Sequence, residues 1–338
     1  MRVGQSKKPI ELKLGDMELS ETDKYKYLGE INNRRMDLKD QITQIEGKVE
    51  AAYQTLLTIA EDRHVKNIKM EVIWKLVKTC ITPVITYACE TWEPNKGEMK
   101  KLNQILDRII RRILMVPQST PREALYIETG LLDIEAIANM KRLNMLARLN
   151  RNKSNMLEHI LNYPNSQWMA TNKNLIETLE MDEQKLKGTK NTSKNYIKTS
   201  INRYFKKKME EDGANKTKIQ YLVSNKEDWQ PGKPAPYINH LTRSEASTIF
   251  RARTRMTQVK NNYKNAHQDQ LCRMCGQQPE TQTHILTLCQ SIHTEDNTKV
   301  SDDEIFTEDK ETLITTANKI KKIMELTTNY SAAPGHEG

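Results

Sequence analysis

Apolar residues recur at steps of three and four over long stretches of this chain, and this spacing is the feature that most limits its possible folds. Between residues 38 and 59 the recurring positions are Leu38, Ile42, Ile45, Val49, Ala52, Leu56 and Ile59. Such a face predicts an amphipathic helix. Similar stretches follow at 65–81, 97–116 and 131–149, and Gly and Pro are scarce, with 12 and 11 among 338 residues. The chain is therefore predicted to be mainly α, with a helical bundle over residues 35–155.

The first residues follow the two-residue alternation of β-strands instead. Ile10 to Leu14 alternates apolar and polar residues, Gly15-Asp16 supplies a turn, and Met17 to Leu19 begins a return strand. This predicts a short N-terminal β-hairpin, assigned with the aromatic segment that follows it to residues 1–34. Because a hairpin alone is marginally stable in water and needs something to pack on, we expect this chain to be a piece of something larger.

The positive net charge of the chain indicates which kind of molecule it binds. It has 53 Lys and Arg against 44 Asp and Glu, a formal net charge of +9. Residues 184–218 hold eleven basic residues against three acidic ones, and Lys206, Lys207 and Lys208 lie among them. Polyanions are the expected partners of such a segment, although a solvated basic face is the alternative. Residues 156–240 are predicted to form a basic connector, helical in part and disordered in part.

The most specific local pattern is a set of four possible metal ligands with the spacing C-x2-C-x8-H-x4-C: Cys272, Cys275, His284 and Cys289. Zinc prefers four N and S ligands in a tetrahedron, and a two-residue gap lets one turn present two thiolates. Four protein ligands leave no open position, which predicts a structural and not a hydrolytic Zn²⁺. Chance clustering of reduced cysteines is the competing explanation, and His293 is an alternative to His284.

An arginine-rich helix is predicted just before this cluster, starting at a capping box of Thr242 and Glu245. Arg251 and Arg255 would lie four residues apart on one side of it, with Arg253 between them in sequence. Arginines on a rigid helix suit phosphate groups, although a solvated face is again the alternative. Residues 241–295 are assigned to this helix and the CCHC module. Residues 296–338 are assigned to an acidic segment, a terminal helix and a disordered tail.

Other features argue against several classes of function. The chain has no run of about 20 apolar residues and no apolar leader, so we expect an intracellular protein without membrane contact or disulfides. No P-loop, nucleophile elbow or H-E-x-x-H motif is present in the sequence. The adjacent pair Asp302-Asp303 lies in an acidic polar stretch, which is not typical of a two-metal catalytic site.

The cysteines and tryptophans outside the cluster are assigned to packing. Cys80 and Cys89 lack the spacing of metal ligands and are predicted to be core residues. Trp74 and Trp92 are predicted to anchor helices against one another, and not to stack on bases.

Several segments are informative when they are taken together in order: Tyr25-x-Tyr27-Leu28-Gly29, then Pro83 to Trp92 and Leu102 to Pro121, then Ile249 to Met256 with the Cys/His cluster. In order and spacing they resemble non-LTR (LINE-type) retrotransposon reverse transcriptases. Tyr25-x-Tyr27-Leu28-Gly29 after a hairpin is similar to the segment that follows the polymerase palm in that family and helps to hold the primer. Pro83 to Trp92 and Leu102 to Pro121 resemble its thumb. Ile249 to Met256 and the Cys/His cluster resemble its C-terminal zinc knuckle. The resemblance covers residues from about 10 to 326 and depends on order and spacing, not on any single motif.

This resemblance implies the C-terminal, nucleic-acid-handling portion of an RNA-directed DNA polymerase. Tyr27, Leu28 and Gly29 would be primer-grip-like, residues 35–155 would be a thumb, and RNA template, primer and target DNA would be the partners. The family's Tyr/Phe-x-Asp-Asp motif is not in this sequence, and we expect it before Met1, with the palm and its Mg²⁺. The isolated chain is therefore expected to bind nucleic acid without copying it, in a nuclear or cytoplasmic ribonucleoprotein.

Two other interpretations stay open. The first is a non-catalytic, zinc-containing RNA- or DNA-binding protein, or a ribonucleoprotein-assembly protein, derived from such an element. The second is a decayed reading frame without a selected function. An in-frame palm upstream of the Met1 codon would favour the reverse transcriptase. Preference for RNA or DNA is not predicted, because phosphate contacts carry no sequence information.

Overall fold

The computed structural model describes residues 12–19, 21–61, 68–152, 163, 166–225, 228–262, 269–294 and 298–332. It begins with two antiparallel hairpins, and the other regular elements of these residues are helices. The first hairpin pairs β1 (Leu12–Leu14) with β2 (Met17–Leu19), and the second pairs β3 (Lys24–Tyr27) with β4 (Glu30–Asn33). The predicted mainly α fold with an N-terminal hairpin is confirmed. Ile10 and Glu11 lie outside the described residues.

The α-helices of the described residues, α1 to α14 in chain order, are Lys39–Glu61, Met70–Leu76, Thr82–Ile85, Lys96–Leu114, Arg122–Thr129, Ile134–Arg151, Gln167–Thr178, Glu183–Leu186, Lys190–Gly213, Thr217–Ser224, Pro236–His240, Arg243–Arg253, Asp302–Phe306 and Lys310–Ala332. Two π-helical turns occupy Val77–Ile81 and His284–Leu288. The described part of the predicted connector 156–240 is largely helical. The terminal helix continues past Thr327, where a disordered tail was predicted, and residues 333–338 lie outside the described residues.

The periodicity of the sequence identifies most of the buried face in two long helices, α4 and α1. In α4 the predicted face is buried in full: Leu102, Ile105, Leu106, Ile109, Ile113 and Leu114. In α1 the predicted face is buried at Ile42, Ile45, Val49 and Leu56. The prediction is wrong for Ile59, which is 44% exposed near the end of that helix.

Three local predictions can be compared with the structure directly. The capping box of Thr242 and Glu245 is present at the start of α12. At α5, the sequence Thr120-Pro121-Arg122-Glu123 has the pattern of a capping box, but the N-cap is Pro121 and no side chain caps the helix, so the capping box that this pattern predicts is absent. Cys89, Trp74 and Trp92 are buried as predicted, whereas Cys80 is exposed. Cys80 lies in the π turn between the buried Val77 and Ile81, and it faces solvent because residue type alone does not decide which side of a helix a side chain occupies.

By contact, the chain divides into two compact units, each made of separate stretches of sequence. The first unit takes in Met1–Thr58, Val77–Leu106 and Asp133–Tyr204. The second takes in Ile59–Leu76, Asp107–Leu132 and Phe205–Gly338. The five consecutive segments predicted from the sequence are not tested by this division and stay predictions.

In the second unit, the stretch before α11 packs closely against the end of α5. Gly130 ends α5 with φ +63°, and a Cβ added there would lie 2.4 Å from the backbone of Lys233. The N–H groups of Gly232 and Ala235 donate to the carbonyls of Gly130 and Glu128 at 2.7 and 2.8 Å. Residues 229–236, whose Pro and Gly residues are typical of a rigid linker, are therefore held in place by backbone hydrogen bonds. Within the described residues, no helix is both long enough and apolar enough to span a bilayer.

Candidate metal centre and nucleic-acid interface

The four predicted metal ligands come together in the second unit. One ligand atom from each of Cys272, Cys275, His284 and Cys289 lies within 4.8 Å of all the others. The Sγ atoms of Cys272 and Cys289 are 3.8 Å apart, and Cys275 Sγ is 3.3 Å from His284 Nε2. Two thiolates bound to one tetrahedral zinc ion at about 2.3 Å would lie about 3.8 Å apart. The cluster therefore has the donor set and the spacing to hold one tetrahedral metal ion.

A tight turn presents the first two cysteines. The Gly276 N–H donates to the Cys272 carbonyl at 2.8 Å, and Gly276 adopts φ +65°, the left-handed conformation that favours glycine. The Met274 N–H points at Cys272 Sγ at 3.4 Å. Burial acts to raise the pKa of the Cys275 thiol, but hydrogen bonds from the backbone of Gln277 and Gln278 outweigh it, so the pKa is lowered. The turn thus favours a thiolate, the form that binds metal.

The second pair of ligands comes from the π turn and the residue after it. His284 Nε2 faces Cys275, while its Nδ1 lies 3.1 Å from Gln278 Oε1. Because an amide oxygen accepts, Nδ1 carries the proton and Nε2 is free to bind a metal. Burial, followed by the adjacent Cys272, raises the pKa of Cys289 to about 12. Thiols packed this closely ionise together only beside a cation, so the donor set fits a metal ion.

The alternative ligand His293 is engaged elsewhere. Its Nε2 lies 2.8 Å from the carbonyl oxygen of Ile285, and its Nδ1 lies 3.0 Å from Thr298 Oγ1. His284, and not His293, is therefore the histidine that the structure brings to the three cysteines.

A buried carboxylate organises the loop around the cluster, and sequence reasoning assigned it no role. Glu280 is 1% exposed and accepts from the Arg273 backbone N–H, from Arg273 Nε at 2.8 Å and from a terminal nitrogen of Arg273 at 2.6 Å. It also accepts from the Lys260 N–H at 2.9 Å. Burial raises its pKa, but the hydrogen bonds from Arg273 outweigh burial and lower the pKa. Glu280 thus ties the cysteine turn to the segment after α12.

The three predicted phosphate-binding arginines do not share one helix face. Helix α12 ends at Arg253, and Arg255 follows it with φ +52°. The predicted i, i+4 relation between Arg251 and Arg255 on a helix is therefore wrong. The Arg255 guanidinium is exposed and lies 3.7 Å from the centre of the Tyr221 ring.

Arg253 is buried in the protein. It is 3% exposed, and its Nε lies 3.0 Å from a carboxylate oxygen of Glu128, which has no exposed surface. A further nitrogen donates to the carbonyl of Ile305 at 3.3 Å, and the guanidinium lies over the ring of Phe306 at 4.4 Å. These contacts leave Arg253 no face for a phosphate, and they make it an anchor of the second unit.

Helix α12 also caps the C-terminal end of α4. Arg243 donates to the carbonyls of Arg112 and Ile113 at 3.1 and 3.0 Å. Ser247 donates to the carbonyl of Leu114, and Arg251 to that of Met115. These three side chains stand at steps of four in α12 and satisfy carbonyls that a helix end leaves without intrahelical partners. Arg251 is therefore occupied at least in part by a structural contact.

The basic helix α9 offers a different set of cations from the one predicted. Lys206 and Lys207 lie 3.8 Å from Glu210 and Glu211 respectively, so each has an acid one turn away. Lys190, Lys194 and Lys198 are exposed, recur at steps of four on one side of the helix, and have no acid among the residues of α9 up to Met209. This row, which we call the lysine stripe, was not singled out from the sequence. Its spacing is the signal that would have identified it.

The primer-grip-like residues lie at the tip of the second hairpin, with Tyr27 at the end of β3. Leu28 and Gly29 connect β3 to β4, and Leu28 has φ +46° although it is a bulky residue. The Tyr87 hydroxyl donates to the Leu28 carbonyl at 2.6 Å, and this hydrogen bond stabilises the turn. Leu28 is 74% exposed, and the rings of Tyr25 and Tyr27 stack with centroids 6.5 Å apart on the same exposed strand. A strained turn therefore presents apolar and aromatic groups to solvent.

In comparisons with models of known protein families, with curated proteins and with solved structures, nothing matches this chain.

Proposed function

We propose that this chain binds single-stranded RNA or DNA, as the nucleic-acid-handling portion of a non-LTR retrotransposon reverse transcriptase. The observation that carries the proposal is the lysine stripe of α9. Lys190, Lys194 and Lys198 are exposed cations on a rigid helix, and no acid on that stretch of the helix neutralises them. Release of the counterions of a nucleic acid by such cations supplies most of non-specific affinity.

The second hairpin supports the same proposal. Bases of single strands stack on exposed aromatic side chains, and Tyr25 and Tyr27 are 54% and 60% exposed. Leu28 occupies a left-handed conformation that costs a bulky residue free energy, which is typical of positions kept for binding. We propose that the hairpin turn contacts bases of the bound strand while the lysine stripe contacts its phosphates.

We further propose that the ion of the Cys/His cluster is Zn²⁺ and that it has a structural role. Three thiolates and one imidazole are a donor set that zinc prefers, and around one ion they would complete a tetrahedron without a position for substrate. Cys272, Cys275, His284 and Cys289 would hold the ion, which would fix the turn and the π turn to each other. The side chain of Gln278, which contacts His284, and that of Glu280, which contacts Arg273, orient the residues that would hold the ion.

The test of nucleic-acid binding compares two triple variants by fluorescence anisotropy with a labelled single-stranded oligonucleotide. Replacing Lys190, Lys194 and Lys198 by Gln should weaken binding roughly 100-fold at 0.1 M salt. At this salt concentration each phosphate contact contributes about 0.7 to the decimal logarithm of the association constant. The control replaces the exposed Lys48, Lys100 and Lys101 by Gln, which changes the net charge equally. Equal affinity of the two variants would refute the role of the lysine stripe.

A further inference from the structure

A cavity of about 450 Å³ lies in the first unit, where the first turns of α4 and α7 meet the side of α6. Residues of the loop from Cys89 to Asn95 also line it, and the cavity is open to solvent. Its volume falls within the range of sites that bind small molecules. None of its lining residues belongs to the lysine stripe, the hairpin or the metal cluster.

Hydrogen bonds fix the wall of this cavity. Arg142 is 4% exposed and donates to Glu93 at 2.6 Å and to the carbonyl of Trp92. Its guanidinium also lies 5.8 Å from the centre of the Trp168 ring. Because both its carboxylate and its carbonyl partner belong to the 89–95 loop, Arg142 holds that loop against α6.

The beginning of α7 is held to the same loop. Trp168 Nε1 donates to the carbonyl of Glu90 at 2.8 Å, and Thr171 Oγ1 donates to Glu93 Oε2 at 2.8 Å. The 89–95 loop, α6 and α7 are thus joined by contacts that do not require a ligand. A cavity formed in advance in this way binds at a lower entropic cost than one that a ligand must order.

The floor of the cavity is apolar and its rim is polar. Cys89, Trp92 and Ala138 line it and are buried. At the rim, Lys96 at the start of α4, Asn139 on α6 and Gln167 at the start of α7 make no side-chain hydrogen bond or ion pair with the described residues. Two amides and one ammonium group at the cavity are therefore available to form hydrogen bonds with a ligand. The carboxylate of Glu135 also lies at the rim.

We propose that this cavity binds a nucleotide, with the base inside and the phosphate at Lys96. Amides offer a donor and an acceptor together, which matches the edge of a base. The apolar floor matches the face of a base, and one ammonium group matches one phosphate. An inorganic anion would leave the apolar floor unused, and an apolar ligand would leave the amides without partners. The site goes beyond the proposed function, since it holds whether or not α9 binds a strand.

Isothermal titration calorimetry on the full chain tests the proposal. The probes are AMP, GMP, CMP and UMP, with ribose 5-phosphate as a ligand that lacks the base and a single-stranded trinucleotide. We expect at least one mononucleotide to bind and ribose 5-phosphate not to bind. A trinucleotide that binds more tightly than the mononucleotide would identify a nucleotide of a strand as the occupant, and equal or weaker binding would identify a free nucleotide.

Single substitutions then locate the binding. Gln167→Ala and Asn139→Ala should each weaken mononucleotide binding about five- to tenfold, the usual effect of one net hydrogen bond. Lys96→Ala should weaken binding of the nucleotide and leave the affinity for the corresponding nucleoside unchanged. Lys101→Ala, on the exposed side of the same helix and outside the cavity lining, is the matched control and should bind as the wild type does.

Three results would overturn the proposal. The first is no binding of any mononucleotide at millimolar concentration. The second is equal binding of ribose 5-phosphate, which would show that the base is not recognised. The third is a mononucleotide affinity that none of the three substitutions Gln167→Ala, Asn139→Ala and Lys96→Ala changes. Gln167 is exposed at the start of its helix.

Discussion

Replacing Arg253 by Met tests whether this arginine is a structural anchor or a contact for phosphate. Arg253 and Glu128 are 3% and 0% exposed, and they face each other at 3.0 Å. The substitution keeps a long side chain over the ring of Phe306 but removes the cation. The carboxylate of Glu128 would then remain buried without the cation of Arg253.

The expected loss follows from this burial. At 3.0 Å and an effective dielectric constant of about 20, the pair attracts by about 5.5 kcal/mol, most of which offsets the cost of removing both charges from water. Losing one partner leaves that cost without the attraction, so the free energy of unfolding should fall by about 3–5 kcal/mol. The double variant Arg253→Met with Glu128→Gln removes both charges and should recover much of this loss.

Urea unfolding followed by circular dichroism measures the effect. The midpoint of Arg253→Met should fall while the denaturant slope stays constant, which indicates a change of stability alone. Arg255→Met is the matched control, because this arginine is exposed over Tyr221 and its loss should cost less than about 1 kcal/mol. If Arg253→Met unfolds at the same urea concentration as the control, the buried ion pair does not hold the second unit together.

Three further outcomes are expected. Elemental analysis should find one zinc ion per chain, and Cys272→Ser should lose it; protein without zinc would refute the structural ion. Burial raises the pKa of Glu304, but bonds from Ser301 and Lys319 outweigh it and lower the pKa. Its stabilisation is therefore present above the pKa of the unfolded state and lost as pH falls through the folded pKa. Glu304→Gln should lower the free energy of unfolding by about 0.5–1.5 kcal/mol at pH 7 and leave it unchanged in acid. A difference in the free energy of unfolding that does not vary with pH would contradict this. Primer extension should show no nucleotide incorporation, because Asp302 and Asp303 lie in the first turn of the short helix α13 and not at strand ends; incorporation that Asp302→Ala abolishes would contradict this.

Features that are local in sequence could be predicted. The buried face of α4 follows from apolar residues at steps of three and four, because the helix fixes which side chains share a side. The metal cluster follows from a two-residue gap and a short return, because its four ligands lie within 18 residues, from Cys272 to Cys289. The capping box at Thr242 is likewise contained in four consecutive residues.

Features that depend on packing between distant segments could not be predicted. The partner of Arg253 is Glu128, far away in sequence, and no local pattern separates this arginine from an exposed one such as Arg255. Cys80 was predicted to be buried from its residue type and its lack of ligand spacing, and neither property fixes the side of the helix on which it lies. The rim of the cavity, with Lys96, Asn139 and Gln167, joins the beginnings of two helices to the side of a third. Side chains of this kind become a site only through the fold.

The dependence of binding on salt tests the central claim most directly. The logarithm of the association constant for a single-stranded oligonucleotide is measured against the logarithm of the salt concentration, for the wild type and for the variant with Gln at Lys190, Lys194 and Lys198. Each phosphate contact contributes a slope of about −0.7, so the variant should be shallower than the wild type by about 2. Equal slopes would contradict the claim that the lysine stripe binds the phosphates of a nucleic acid.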